Sequence, residues 1–333
     1  MIKYLETILQ IYGKNFTEGY KSYEHLKSGV SDKLIVRIKT TGKSIIGIYN
    51  SYSKENITFL EFTKVFNSLG LNVPKILYVS DDFKVYFLSD LGENTLYDTV
   101  KTATDRESLI SLYRKALGYL IKFQYYGKQK IDFSYCFETR IFDKEQIYLD
   151  TSKFETYYID KFLNSKSKFH KDSFINNILN VTVKVSDNYF MYRDFQPRNI
   201  VHNNDDLYFV DYQSGRLGPP QYDLISFLYS GSINVTQDER IIISGFYFDE
   251  FSKYEKTDKG RQMESLDYFA LLRIIQVLGS YCYSYFEKGN KNISEKIPTA
   301  IENLKTLKLQ DNNLKLVQEF ILDSHFIHTS KHQ

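Results

Sequence analysis

The sequence predicts an α+β protein of two lobes: a small antiparallel sheet with one packed helix, followed by a larger, mainly helical lobe. Three observations support this. Alternating apolar runs bounded by turn residues are concentrated before Gly92. One segment with apolar side chains at helical spacing interrupts those runs. After Gly92 the apolar spacing becomes helical almost throughout.

The N-terminal part of the chain contains two helical patterns and four strand patterns. The helices are expected at 2–12 and 54–69, and the strands at 34–38, 44–49, 76–79 and 85–88. Pro74 ends the second helix because proline has no N–H and restricts the residue before it. Polar residues and a glycine at 89–92 favour a hinge, so we predict lobes at 1–91 and 92–333.

The rest of the chain is predicted to be helical, with one short strand-like island at 199–211. The helices are expected at about 105–126, 154–164, 172–186, 222–230, 237–253, 263–286, 294–305 and 312–323. The apolar run 269–286 is interrupted by Arg273 and Gln276. We therefore interpret it as a buried helix rather than a membrane span.

Composition limits the classes of function. The chain has 333 residues, and its 43 basic and 41 acidic residues nearly cancel, which argues against a polybasic nucleic-acid arm. Hydrophobic residues make up 42%, enough for a large core. Only two cysteines occur, so a disulfide framework is not expected. We predict a cytoplasmic protein with no nucleic-acid or membrane partner, and leave the oligomeric state open.

One stretch brings together residue types suited to metal and phosphate chemistry. Asp194 and Asn199 are five residues apart in a loop that Pro197 keeps from being helical. Two strand-like runs follow, joined by a polar turn at 203–206, and such a hairpin would return Asp211 toward Asn199. Carboxylate and amide oxygens are ligands that Mg²⁺ prefers. The alternative is that Asp194 and Asn199 only cap turns.

The ordered set resembles the catalytic core of a known enzyme family. It reads YRDFQPRN at 192–199, VDYQSGRLGP at 210–219 and YDL at 222–224. It is similar to the protein-kinase-like phosphotransferases, more closely to the aminoglycoside phosphotransferase and choline kinase branch. Within that branch it looks most like the bacterial subgroup that includes N-acetylmuramate/N-acetylglucosamine anomeric kinases. The resemblance implies a protein-kinase-like two-lobed fold, ATP and Mg²⁺ as cofactors, and a hydroxyl acceptor.

The resemblance also assigns roles. Asp194 looks like the catalytic aspartate that orients or deprotonates the acceptor hydroxyl, while Asn199 and Asp211 look like the metal ligands. Asp223 is similar to the structural aspartate that holds the catalytic loop, although a simple helix cap is an equal alternative. Residues near this motif that could contact substrate are Arg193, Gln196, Arg198, Gln213 and Tyr222.

On the nucleotide side the pattern is weaker. The loop at 28–33 lies where the family covers the phosphates, with Ser28, Gly29 and Ser31 as candidate contacts. The backbone of a hinge containing Leu88, Asp90 and Leu91 would bind the base, with ATP and GTP not distinguished. The family usually has a lysine on the third strand, but 44–49 contains none. We expect Arg37 to replace it, ahead of Lys39 and Lys43, and Glu55 to form the inward ion pair.

The acceptor is expected to be small. Only twelve positions separate Asp211 from Asp223, too few for the activation segment with which protein kinases bind peptides. Acidic residues at 249–267 are offset by basic ones, so a neutral or acidic sugar, most of all an amino sugar, is favoured over a polycation. Two alternatives remain: a non-catalytic nucleotide- or metabolite-binding pseudokinase, motivated by the missing lysine, and an aminoglycoside- or choline-type kinase.

Overall fold

The computed structural model describes residues 2–26, 33–165, 169–185 and 187–330. It confirms the predicted α+β class, with an antiparallel sheet near the N-terminus and a mainly helical remainder. The predicted phosphate-loop residues Ser28, Gly29 and Ser31 lie outside the described residues. The predicted lobe boundary at 91–92 falls between the last strand of the sheet and the next helix, and stays a prediction.

The N-terminal sheet is antiparallel throughout, with strand order β1-β2-β3-β5-β4. Its strands are β1 (Ser22–Leu26), β2 (Leu34–Lys39), β3 (Ser44–Tyr49), β4 (Ile76–Val79) and β5 (Val85–Ser89). The sequence did not predict β1. Most of its side chains are exposed at the sheet edge, so the apolar alternation that marks a buried strand is absent.

Two helices cover the two faces of this sheet. Helix α1 (Ile2–Asn15) packs its buried Ile8 on the outer face, where a Cβ at Gly47 would lie 2.8 Å from Ile8 Cγ2. Only glycine lets the helix approach that closely. Helix α2 (Ser53–Ser68) packs against the inner face, in the same core as Ile35 and Ile48. Because side chains alternate along a strand, residues 33, 35 and 37 share this inner face.

The helical lobe is built from ten helices in the described residues. They are α3 (Leu96–Thr102), α4 (Arg106–Lys130), α5 (Lys144–Phe154), α6 (Lys171–Val181), α7 (Gln221–Leu228), α8 (Gln237–Phe251), α9 (Lys259–Glu264), α10 (Leu266–Lys288), α11 (Ile297–Lys305) and α12 (Asn312–Ser330). A π-helical segment, Glu155–Phe162, continues α5. The predicted buried helix is α10, and among the described residues no helix has the length and apolar character needed to cross a membrane.

Three helices, α3, α5 and α9, are not predicted from the sequence, because each carries little apolar periodicity. Helix α3 buries only Leu96, and its start is fixed by a capping box between Thr95 and Asp98. The helix predicted at 154–164 corresponds to the π-helical segment Glu155–Phe162, whereas α5 before it begins at the N-cap Asp143, whose side chain accepts two backbone N–H bonds. The N-cap of α9 is Asp258, so capping rather than hydrophobic pattern marks the start of all three helices.

Four short strands in the helical lobe flank the polar motif. Strand β6 (Tyr189–Met191) pairs with β9 (Arg216–Gly218), and β7 (Ile200–Asn203) pairs with β8 (Asp206–Phe209). The loop at 192–199 connects the two pairs. The polar motif is therefore held between two paired strands on each side.

Candidate active site

The loop at 192–199 is held from beneath by a buried carboxylate. Asp223 in α7 accepts backbone N–H bonds from Tyr192 at 2.7 Å and Arg193 at 2.8 Å, and a side-chain bond from Gln124 at 3.2 Å. Arg193 has φ +75°, an unusual conformation that these bonds stabilise. Burial raises the pKa of Asp223 to about 7, although the three hydrogen bonds oppose the rise.

Replacing Asp223 with Asn should destabilise the protein by about 2–3 kcal/mol, because the new NH₂ group would face a backbone donor. A carboxyl with a raised folded-state pKa contributes stability below its unfolded value of about 4 and loses that contribution as pH rises toward 7. Chemical denaturation at several pH values should therefore show a flatter profile between pH 4 and 7 for Asp223→Asn. An unchanged stability and slope would show that the carboxylate does not anchor the loop.

Asn199 links the other two motif residues. Its Nδ2 donates to the backbone oxygen of Asp194 at 2.9 Å and to Oδ2 of Asp211 at 3.2 Å. The β7–β8 hairpin makes this possible, since Val210 N donates to Asn199 O at 3.1 Å and so returns the chain beside the loop. The structure thus brings Asp194, Asn199 and Asp211 to one place.

Asp211 is oriented by the residues that follow it. It has φ +70°, and Gln213 Nε2 donates to its Oδ1 at 2.7 Å. Tyr212 stacks on Phe59 of α2 with ring centroids 5.0 Å apart, and its hydroxyl hydrogen-bonds Thr63 at 2.6 Å. These contacts hold the backbone at Asp211 in place relative to α2, so the two lobes are joined at this position.

The electrostatics of Asp211 show what surrounds it. The residue is exposed, but the surrounding protein displaces much of the solvent around its carboxylate, and this desolvation raises its pKa. The charge of Lys33 opposes the rise, while Asp194 and Glu55 add to it. We call the space between Asp211, Asp194 and the Lys33–Glu55 pair the cleft. Three carboxylates and one lysine therefore interact in this cleft.

Lys33 is the functional candidate that sequence reasoning missed. It immediately precedes β2 and forms an ion pair with Glu55 of α2 at 2.8 Å; the two side chains are 10% and 17% exposed. Asn50 Nδ2 donates to the other Glu55 oxygen at 3.0 Å. Glu55 therefore pairs with a lysine that immediately precedes β2, and its role at the site stays a prediction. The available signal was alternation, since residue 33 lies on the same strand face as Ile35.

Arg37 requires a correction. All five of its N–H groups are used by the hinge and its neighbours: by Asp90 at 2.6 and 3.1 Å, Glu93 at 2.9 Å, the Gly92 carbonyl at 2.8 Å and Glu24 of β1 at 3.0 Å. Burial alone would raise the pKa of Asp90, yet its bonds to Arg37 and Ser44 lower it. Arg37 therefore braces the hinge and is not available to replace the missing lysine, and the Asp90 side chain shares that structural role.

Two of the predicted substrate contacts also lie in the wrong place for an acceptor. Arg193 is buried, its Nη2 lies 2.9 and 3.0 Å from the two carboxylate oxygens of Asp150, and its guanidinium lies near the rings of Phe142 and Tyr222. Tyr222 is fully buried. Because neither side chain reaches the cleft, we assign both to support of the loop. Gln213 contacts Asp211, half-buried Gln196 lies in the loop, and Arg198 is exposed beside it.

Asp194 has a charged neighbour that the motif did not indicate. Arg273 of α10 approaches it, with Nη2 3.4 Å from Oδ1, and also contacts Gln276 Oε1 at 2.8 Å. The Asp194 side chain remains 34% exposed, so it faces open space on one side. A lone arginine within an apolar helix was the only sequence signal for this contact.

The donor set fits a hard cation. Asn199 and Asp211 offer amide and carboxylate oxygens, which suit Mg²⁺ when phosphate oxygens and water complete the shell. Within the described residues no group of three or more His, Cys, Asp and Glu forms a self-sufficient metal site. A cation held here would therefore need further ligands from a bound nucleotide.

A small antiparallel sheet with one inner helix, set over a helical lobe that carries this loop and hairpin, is the architecture of two-lobed small-molecule kinases. The chain belongs to the phosphotransferase enzyme family, whose model matches residues 22–256. The resemblance inferred from residues 192–224 is thereby confirmed, and the protein is an enzyme of the kinase class.

Individual relatives are distant. The chain is 20% identical over 264 residues to the N-acetylmuramate/N-acetylglucosamine kinase of Neisseria meningitidis serogroup B, covering 74% of this chain and 73% of that protein. It is similar in fold to choline kinase LicA from Streptococcus pneumoniae, with 17% identity, TM-score 0.60 and coverage of 91% and 99%. It is also similar to ADP-bound aminoglycoside phosphotransferase APH(2'')-Ib, with 16% identity, TM-score 0.58 and coverage of 88% and 97%.

Proposed function

We propose that the protein uses ATP and Mg²⁺ to phosphorylate a hydroxyl group of a small molecule, an amino sugar or a related sugar. The observation that carries the proposal is Asn199, which joins the backbone of Asp194 to the carboxylate of Asp211 in one cleft. The Lys33–Glu55 pair interacts with that cleft from the sheet side. Phosphoryl transfer needs mainly positioning and charge neutralisation, and these residues supply both.

Each side chain has a specific task in this account. Asp194 accepts a hydrogen bond from the acceptor hydroxyl, aligns it, and takes its proton as the acceptor oxygen bonds to the γ-phosphorus of ATP. The bond from that phosphorus to the bridging oxygen breaks, and ADP leaves. Asn199 and Asp211 hold Mg²⁺, which supplies neutralisation of phosphate charge. Lys33, oriented by Glu55, donates to the nucleotide phosphates. The buried free cysteines Cys136 and Cys282 fit the cytoplasmic location that we propose for an ATP-using enzyme.

The main argument for a pseudokinase is the missing lysine on the third strand, and Lys33 would take the role of that lysine. Replacing Lys33 with Met should lower kcat/KM for ATP by about 10²-fold, the usual cost of losing one charge-stabilising donor. Steady-state kinetics with an ADP-coupled assay would measure this. Lys43→Met, in the exposed turn before β3, is the matched control and should leave kcat/KM unchanged. If Lys33→Met retained full activity, the phosphate role assigned to it would be wrong.

The sugar assignment is the finer part of the proposal. It is supported by the similarity to a kinase of N-acetylmuramate and N-acetylglucosamine, and by the absence of an acidic concentration in the 249–267 sequence that would suit a polycation. Choline- and aminoglycoside-type acceptors are the second candidates, favoured by the similarity of fold.

The test is nucleotide turnover against a panel containing amino sugars, choline and aminoglycosides. We expect ADP formation with an amino sugar, in proportion to acceptor phosphorylated, and its loss on chelation of Mg²⁺. ADP formation only with choline or an aminoglycoside would move the acceptor to those classes. Metal-dependent ATP binding without turnover on any acceptor would support the pseudokinase alternative instead.

A further inference from the structure

Three cations of the helical lobe lie close to Asp194 or to its neighbour Tyr281 of α10. Arg273 contacts Asp194, Arg198 is four residues further along the loop, and the Lys296 ammonium lies 5.6 Å from the ring centroid of Tyr281. Tyr281 lies near these groups. Burial raises its pKa, the charges of Arg273 and Arg198 oppose the rise, and the charge of Asp194 adds to it. We call Arg198, Arg273 and Lys296 the basic cluster.

The protein leaves this cluster short of negative charge. Arg273 is 7% exposed, its Nε has no hydrogen-bond partner in the described part of the chain, and Asp194 is the carboxylate that it contacts. Neither Arg198 nor Lys296 forms an ion pair with a described residue; Arg198 instead stacks on Tyr97 at 3.5 Å. Hydrogen bonds from Thr95, and to a smaller extent the charge of Arg198, lower the pKa of Asp98. The Asp98 carboxylate is already used in the capping box of α3, where it accepts from the backbone N–H of Thr95.

Like charges held together in a partly desolvated place destabilise each other. Loss of solvent lowers the pKa of Lys296, and the positive charge of Arg198 lowers it further. The buried, unpartnered Nε of Arg273 adds the cost of an unsatisfied donor. An anionic ligand at this position would offset both costs.

The position of the basic cluster indicates that the bound anion would belong to the acceptor rather than to the nucleotide. Arg273 lies on α10, Lys296 ends the turn before α11, and Arg198 is in the catalytic loop, so all three belong to the helical lobe. Lys33, which we propose for the nucleotide phosphates, instead precedes β2 of the N-terminal sheet, and Asp211 contacts Asn199 and Gln213 rather than the basic cluster. An anion bound to the cluster would therefore place an attached hydroxyl beside Asp194.

We propose that the acceptor carries an anionic group, a carboxylate or a phosphate, which the basic cluster binds while the acceptor hydroxyl meets Asp194. This rests on the proposed phosphotransferase function and narrows its substrate class to acidic sugars. The same charges would repel choline and polycationic aminoglycosides, since like charge across a binding site lowers affinity.

The test compares sugars that differ mainly in charge: N-acetylglucosamine, N-acetylmuramate, which adds a lactyl ether carboxylate, and N-acetylglucosamine 6-phosphate. We expect kcat/KM to be at least about tenfold higher for one of the two anionic sugars than for the neutral one. The anionic sugar with the higher kcat/KM shows whether the cluster prefers a carboxylate or a phosphate. Raising ionic strength should increase KM for the anionic acceptor more than for the neutral one.

Variants then locate the effect. Lys296→Ala should lower kcat/KM for the anionic sugar by about fivefold and Lys296→Glu by more, with a much smaller effect on the neutral sugar. Lys315→Ala, an exposed lysine on α12, is the matched control and should change neither. Equal losses for both sugars, or a higher KM for ATP with acceptor kinetics unchanged, would overturn the proposal.

Binding separates this proposal from the proposed function. If ATP is bound but neither sugar class is phosphorylated, calorimetric titration with the two anionic sugars still tests the cluster. Binding by the wild type that Lys296→Glu weakens at least about tenfold keeps the anion site while the transfer reaction fails. Absence of any difference between wild type and Lys296→Glu refutes the anion site, whatever the outcome for phosphoryl transfer.

Discussion

Replacing Asp194 with Ala should lower kcat by about 10²–10⁴-fold while ATP binding changes little. A general base or aligning carboxylate contributes in that range because it acts on the proton of the attacking hydroxyl in the transition state. Asp194 is 34% exposed, but it is the carboxylate that buried Arg273 contacts, at 3.4 Å, so its removal should also lower the melting temperature. Single-turnover kinetics with saturating ATP would measure the loss directly.

The Asp194→Asn variant removes the negative charge of the side chain and keeps its shape. The amide keeps an oxygen toward Arg273 but is no proton acceptor, so we expect nearly the same loss of kcat as for Ala. Asp81→Asn, in the exposed turn between β4 and β5, is the control for a general effect of removing a carboxylate. If Asp194→Asn and the wild type turned over at the same rate, the acceptor would be activated by another group.

Asp211→Asn should reduce kcat by about 10³-fold, since losing a metal-ligating carboxylate removes several kcal/mol of charge stabilisation. It should also raise the Mg²⁺ concentration needed for half-maximal activity. The stability effect has the opposite direction. Desolvation, Asp194 and Glu55 raise the pKa of Asp211, so its ionised form is unfavourable in the fold.

At pH 7 the Asn variant should therefore melt at the same temperature as the wild type or higher. The raised pKa also gives the sign of the pH dependence: the wild type loses this contribution as pH rises through the folded-state pKa, and Asp211→Asn does not. Mg²⁺ titration of activity and thermal melts at pH 5 and 7 measure both effects. Asp238→Asn, exposed in the first turn of α8, is the control. A strongly lowered melting temperature would make Asp211 structural rather than metal-binding.

The parts of the site that sequence reasoning predicted are those encoded locally. Asp194 and Asn199 lie in one loop, and the apolar alternation of β7 and β8 around a polar turn was enough to bring Asp211 back beside Asn199. The fold class followed from the change in apolar period near Gly92. Each of these inferences needed only neighbours in sequence.

The parts that were missed depend on pairings between distant segments. Arg37 and Lys33 lie on the same strand face, and nothing local shows that three carboxylates and the Gly92 carbonyl use every donor of Arg37. Lys33 was assigned to a loop, although the register opposes Leu34 to Tyr49 and so brings residue 33 next to Asn50 and Glu55. Arg273 reaches Asp194 across 79 positions, a contact that no spacing rule predicts.

The central claim is that Lys33, Asn199 and Asp211 converge on one metal–nucleotide complex beside Asp194. A crystal structure with Mg²⁺ and a non-hydrolysable ATP analogue tests it most directly. We expect a metal ion bound by Asn199 and Asp211, and the Lys33 ammonium within hydrogen-bond distance of a phosphate oxygen. A nucleotide bound elsewhere, or phosphates held by Arg37 with Lys33 turned away from them, would contradict it.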